Sequence, residues 1–172
     1  MIRLIEPCEA YLPSYSEAYE EYCHYPRLAG NPFSDPITHD LLAGFDDMRH
    51  ARNLPEGYVG ASTYWLVDDT QQRFLGEIDI RHQLTESLLR YGGHIGYAVR
   101  LGEWNKGYGT LMLSLALPHA RALGITRCLI TCDDDNIGSA RVMEKNGFVL
   151  ADKVDNVIDG HAIITRRYWK TL

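Results

Sequence analysis

Several protein classes are excluded by what this 172-residue chain lacks. Its four cysteines form no Cys-x-x-Cys, no His-Glu-x-x-His occurs, and the seven histidines show no ligand spacing. No structural or catalytic metal is therefore expected. Cys128 and Cys132 share one face of the apolar run RCLITC and read as small core residues. Basic residues are outnumbered 23 to 17, giving a net charge of −6. That balance predicts no nucleic-acid partner and no anionic membrane surface, and mildly favours cationic substrates such as amines. The longest greasy stretch, LMLSLALP at 111–118, is too short to span a bilayer. The opening MIRLIEPCEAYLP is broken by Glu6 and Pro7, so no secretory signal and a cytoplasmic location are expected. Internal repeats and low-complexity tracts are absent.

What is present suits one core. A hydrophobic content of 45% at this length fits a single domain over 1–172, able to bury roughly 70% of its unfolded surface. IRLI at 2–5 reads as a strand. Tyr15, Ala18, Tyr19, Tyr22 and Cys23 then recur at helical intervals. The broken segment YPRLAGNPFSDP follows, and Thr38 is placed to cap a second helix with the stripe Leu41, Leu42, Phe45 and Met48. Residues 1–57 are expected to form a lid or one wall of a cleft, and 58–172 the sheet. In that second part YVGASTYWLVDD, RFLGEIDIRH and GGHIGYAVR have the β-branched and aromatic texture of strands. A helix from about Tyr108 to Leu123, closed by Gly124, leads to the buried strand RCLITC. Pro118 inside this helix is expected to kink it. A short helix over 137–146 and two last strands, FVLADKV and HAIITRRYW around a DNVIDG turn, complete the chain. The order implies an α/β (α+β) fold: a mixed, mostly antiparallel central sheet with helices on both faces and a right-handed crossover from GYAVR to RCLITC.

Chemistry concentrates in YAVRLGEWNKGYGT at 97–110. A strand, a tight turn and a Gly-rich helix start make an anion cradle. Gly107 and Gly109 let backbone N–H groups approach a ligand, the helix N-terminus adds its positive dipole end, and Lys106 adds a charge. Neither GxxxxGK[ST] nor GxGxxG fits these residues. A second segment, DDDNIGSARVMEKNGF at 133–148, follows the RCLITC strand directly. Asn136 reads as a helix cap, and the aspartate run lacks calcium-loop spacing.

Together the two segments resemble the GNAT superfamily of acyl-CoA-dependent N-acetyltransferases. The first is similar to its acyl-CoA loop and the second to its Asn…Ser/Ala…Glu-Lys-x-Gly-Phe motif. Trp104 stands where most members have Arg or Gln, a style familiar in the branch that resembles ribosomal-protein alanine N-acetyltransferases. Asn105 stands where that branch usually has glycine. The resemblance is clear over about residues 74–150.

The resemblance implies acetyl-CoA as co-substrate, a splayed strand pair that receives the pantetheine arm, part of the acceptor wall in 1–57 and the acyl-CoA-binding core in 58–172. Ala98, Val99 and Arg100 would offer backbone groups to that arm. Trp104, Asn105, Lys106, Gly107, Tyr108, Gly109 and Thr110 would surround the pyrophosphate, with Asn136 and Ser139 nearer the thioester. The implied reaction is direct attack by an amine of a small molecule, a peptide or a protein N-terminus. Many relatives place an acidic tyrosine on the last helix, where this chain has Met143. Either Ser139 or water then protonates the thiolate, or it leaves unaided. Candidate bases are Glu77, which shares a strand face with Asp79, and His94 beside two glycines; His82 is a weaker candidate. Each has a plain structural alternative, a salt bridge for the acids and a core hydrogen bond for His94. Tyr168 and Trp169 suit either the acceptor cleft or a homodimer contact. The rival functional reading, motivated by Met143, is a non-catalytic acyl-CoA-binding sensor.

Overall fold

The computed structural model describes residues 1–25, 30–37, 40–158 and 160–172. Strand β1 (Ile2–Ile5) is followed by α1 (Leu12–Cys23) and α2 (Leu41–Arg49), then by strands β2 (Ala61–Asp68), β3 (Arg73–Arg81) and β4 (Ile95–Val99). The crossover helix α3 (Tyr108–Ala122) leads to β5 (Arg127–Asp133), α4 (Ile137–Lys145), β6 (Val149–Ile158) and β7 (His161–Thr171). The strands form two antiparallel sheets, ordered β1-β2-β3-β4 and β5-β7-β6. The expected central sheet is thus divided at its splayed pair, because β4 and β5 meet only at the start of β4. There the His94 N–H donates to the Leu129 carbonyl at 2.7 Å, and the Leu129 N–H returns to His94 Nδ1 at 3.0 Å. Gly93 permits the contact: at φ +67°, a Cβ there would lie 2.8 Å from the Leu129 carbonyl oxygen.

Two apolar clusters lie on opposite faces of the first sheet. Period-2 alternation sends Ile78 and Ile80 toward Met112, Leu113 and Ala116 of α3, and sends Trp65, Val67 and Phe74 toward Tyr15 and Ala18 of α1. Tyr15 stacks on Trp65 at 4.8 Å and meets Phe74 edge-on at 5.0 Å, fixing α1 to the sheet through aromatic geometry. Glu77 and Asp79, on the face opposite Ile78 and Ile80, are therefore directed toward the α1 side.

Local structure departs from the sequence expectations in three places. Asp40 caps α2, accepting from the Ala43 N–H at 3.1 Å; Thr38 lies outside the described residues. The segment read as a DNVIDG turn is mostly strand: Asp155, Asn156, Val157 and Ile158 pair with β7, and among its described residues only Gly160, at φ +80°, has a turn conformation. The buried Asn156 side chain explains this, donating to Thr165 Oγ1 at 2.9 Å and accepting from Arg90 at 3.1 Å. Tyr168 is fully buried with its hydroxyl on Glu144, and Arg127 lies over the Trp169 ring, so these two rings are occupied within the second sheet.

His94 is the checkable joint of this fold. His94→Ala leaves the Leu129 N–H without its acceptor and is expected to cost about 1–3 kcal/mol in urea unfolding. Burial, aided by the charge of Arg81, holds the His94 pKa below its ordinary 6.5. The unfolded chain therefore takes up a proton that the folded chain refuses, and stability falls as pH drops below that value. Thermal unfolding across this range should show that His94→Ala lacks this part of the acid sensitivity.

Candidate active site

After His94 the strands part, and the gap opens into a cavity of about 720 Å³ lined by β4, the 103–110 loop, the start of α3 and one face of α4. The register decides which backbone groups face it. Arg81 and His94, like Leu75 and Arg100, are hydrogen-bonded partners, since Arg81 N–H donates to the His94 carbonyl and Arg100 N–H to the Leu75 carbonyl. Alternation in an antiparallel ladder then turns the polar groups of Ala98 toward Glu77 of β3, and those of Tyr97 and Val99 into the gap. Of the three residues expected to offer backbone groups there, only Val99 does so; Tyr97, not anticipated in this role, is the second.

Even Val99 is half engaged. Its carbonyl accepts from the Tyr22 hydroxyl at 2.7 Å and from the Trp104 indole N–H at 2.9 Å, leaving its N–H for a ligand. The Arg100 side chain is buried under α1, where Ser14, Glu17 and Glu21 bind it at 2.6–3.4 Å. It anchors α1 to the end of β4 rather than meeting a ligand.

The loop then builds a cradle. Asn105 (φ +63°) and Gly107 (φ +86°) take left-handed conformations, which turn the chain sharply into α3. Helix α3 begins without a side-chain cap, so the N–H groups of Gly107, Tyr108, Gly109 and Thr110 are the unpaired donors of its first turn. A Cβ on Gly109 would lie 3.3 Å from Val142 Cγ2, so a glycine there allows α3 and α4 to pack closely. Lys106 donates to Glu103 Oε2 at 2.9 Å, and Arg73 reaches Oε1 of the same buried carboxylate at 3.0 Å. The loop's cation is thus largely neutralised within the protein, and backbone donors dominate the cradle. Across the cavity Asn136 caps α4, its Oδ1 accepting from the Ser139 N–H at 3.0 Å, and Ser139 lines the wall. Sequence reading did not single out Tyr22, Glu103 or Arg141 for the site, and met Lys145 only as part of the Glu-Lys-x-Gly-Phe motif; all four also line it. The four-residue spacing of Arg141 from that motif lysine was the available signal for the pair.

The candidate bases part company. Nδ1 of His94 already accepts a hydrogen bond, so this ring acts as the strand clamp. His82 is occupied by Ser62, 2.9 Å from Nε2. Glu77 pairs across the strands with Ala98, which lines the cavity, but Glu77 itself is not among the lining residues and lies behind that wall on the α1 side. Trp65 donates to Glu77 Oε2 at 2.8 Å, and Oε1 has no partner among the described residues. Burial pushes the Glu77 carboxyl up to about 8, against the Trp65 hydrogen bond, which lowers it; Asp79 on the same face raises it further. Tyr97 points to the other side of β4, its hydroxyl 3.4 Å from the Ser139 carbonyl, and burial raises its pKa to about 12. Met143 is wholly buried. No group of three or more His, Cys, Asp or Glu among the described residues is arranged to hold a metal ion, and no helix there is long and apolar enough to cross a membrane.

The titration of Glu77 is directly measurable. Side-chain carboxyl NMR should place it near pH 8, and Trp65→Phe should move it higher by removing the hydrogen bond that favours the charged form. An ordinary carboxylate value in the wild type would show that the side chain is solvated.

Comparison with known proteins follows this geometry. Residues 3–149 match the model of the acetyltransferase (GNAT) domain. RimL, a ribosomal L7/L12 alpha-N-protein acetyltransferase solved with coenzyme A, shares the fold with a TM-score of 0.72 at 20% identity, over 99% of this chain and 94% of that one. The yncA protein of Salmonella typhimurium, solved with its cofactor acetyl-CoA, gives 0.66 at 14% identity, over 99% and 93%. The ribosomal-protein-S5-alanine acetyltransferase of Vibrio fischeri gives 0.67 at 20% identity, over 99% and 91%. No curated protein sequence matches the chain. Sequence motif, sheet division and helix-start cradle agree with the family match: the chain belongs to the acetyltransferase (GNAT) domain family.

Proposed function

We propose that the domain transfers an acetyl group from acetyl-CoA to a primary amine by direct attack, with a peptide or protein N-terminus as the favoured acceptor class. The observation that carries this reading is the uncapped start of α3 facing the cavity beside the unpaired edge of β4, with the Glu77 carboxyl behind the wall at Ala98. The names of RimL and of the Vibrio fischeri neighbour support the acceptor class.

The cavity suits the cofactor on its own features. An uncapped helix start offers four N–H donors at one end, and the N–H groups of Tyr97 and Val99 lie along its length. When bound, acetyl-CoA supplies the activated acyl group that a neutral amine attacks, releasing the thiol. Asn105, Lys106, Gly107, Tyr108, Gly109 and Thr110 hold the pyrophosphate end, mainly through backbone donors. Val99 and Tyr97 orient the pantetheine arm, and Asn136 with Ser139 closes the α4 side. Glu77 removes the proton that an ammonium must lose to become nucleophilic. With a pKa of about 8 it is only about a tenth ionised at pH 7, so activity should climb through that range. The Tyr97 phenol stays protonated and supplies a hydrogen-bond donor on the α4 side, where Met143 has none.

The sensor reading retains one observation, the buried Met143, and turnover separates the two. Thiol release from acetyl-CoA with a panel of N-terminal peptides should follow a rising pH limb set by a group near 8. Glu77→Gln should lower kcat/KM by about 10²–10⁴ and remove that limb, while Tyr97→Phe should give a smaller loss in kcat. Binding of acetyl-CoA with no thiol release across the panel would favour the sensor.

A further inference from the structure

Cations approach the cavity from two elements, and only one of them is free. On the loop side, Lys106 and Arg73 both end on the buried carboxylate of Glu103. On the other side α4 presents Arg141 and Lys145, four residues apart and hence on one face of the helix. Both are exposed and line the cavity, and neither has an ion-pair partner among the described residues. Val142, beside Arg141, packs against Gly109, and the Asn146 amide donates to the Thr110 carbonyl at 3.2 Å. These contacts lay the face that carries both cations along the first turn of α3. In a protein of net charge −6, two unpaired cations beside an uncapped helix start make a local concentration of positive charge.

The pyrophosphate can be held by the backbone donors of that helix start. The remaining charged group of CoA is the phosphate monoester on its ribose, close to doubly ionised at neutral pH. An arginine fork and a lysine ammonium suit such a group. We propose that Arg141 and Lys145 form a second phosphate site that binds the 3′-phosphate and makes the domain selective for CoA over dephospho-CoA. The inference rests on the cofactor reading above and adds a cofactor-specificity site to it. It also gives Lys145 a ligand role beyond that of a cation near a helix C-terminus.

Calorimetric titration of the full chain with CoA and with dephospho-CoA tests it. The wild type should bind CoA at least about tenfold more tightly, with the ratio shrinking at high salt. Arg141→Ala/Lys145→Ala should reduce the ratio to below about threefold while leaving dephospho-CoA affinity unchanged. Arg141→Gln/Lys145→Gln should behave alike, and circular dichroism should confirm the fold of both variants. Equal affinity in the wild type, or a ratio that survives the double substitution, would overturn the second site alone. Binding of neither nucleotide would overturn the cofactor reading and the site with it.

Discussion

The parting of β4 from β5 is the constraint on which the rest of the structure depends. Two strands joined by a crossover helix normally continue side by side and saturate one another's backbone. Here pairing is confined to His94 and Leu129, so the polar groups of Tyr97 and Val99 face a gap. Unpaired backbone groups are costly when buried, and the molecule manages them in two ways. The Val99 carbonyl is satisfied from within by Tyr22 and Trp104, and the Val99 N–H faces a cavity open to solvent and ligand. Arg100 then ties the strand end to α1 through Ser14, Glu17 and Glu21, so the gap has a rigid margin.

The same strand pair separates two kinds of chemistry. On the α3 and α4 side lie the uncapped helix start, Asn136 and the unpaired cations of α4, all suited to a polyanion. On the α1 side lie Glu77 and Asp79, whose carboxyls burial pushes above their ordinary range. In a chain of net charge −6, hydrogen-bond donors thus gather on one side of the strand and two carboxyls on the other. Glu103 pairs with both Lys106 and Arg73, so fixed backbone dipoles dominate the loop's donors.

Much of this was legible in the residues, and the exceptions have physical reasons. Alternation in GEIDIRH correctly placed Glu77 and Ile78 on opposite faces, because a strand between two apolar layers leaves little freedom of register. The glycines of 107–110 marked the turn into α3, since left-handed conformations leave a compositional trace. Long-range partners leave none. Nothing local in Arg100 says that it pairs with α1, in Trp65 that its indole holds a carboxyl 12 residues away, or in His94 that its ring accepts a backbone N–H from β5. The DNVIDG segment looked like a turn because Asp, Asn and Gly favour turns. The buried Asn156 side chain and its partners on β7 and Arg90 outweigh that preference.

The central claim is that the gap between β4 and β5 is the cofactor slot, read out by two specific amides. Amide hydrogen exchange followed by NMR, with and without CoA, addresses it at single-residue level. The account predicts that the N–H groups of Tyr97 and Val99 become protected when CoA is added, while Ala98 and Arg100, already bound to β3, change little. Protection that spares Tyr97 and Val99 and appears elsewhere would contradict it.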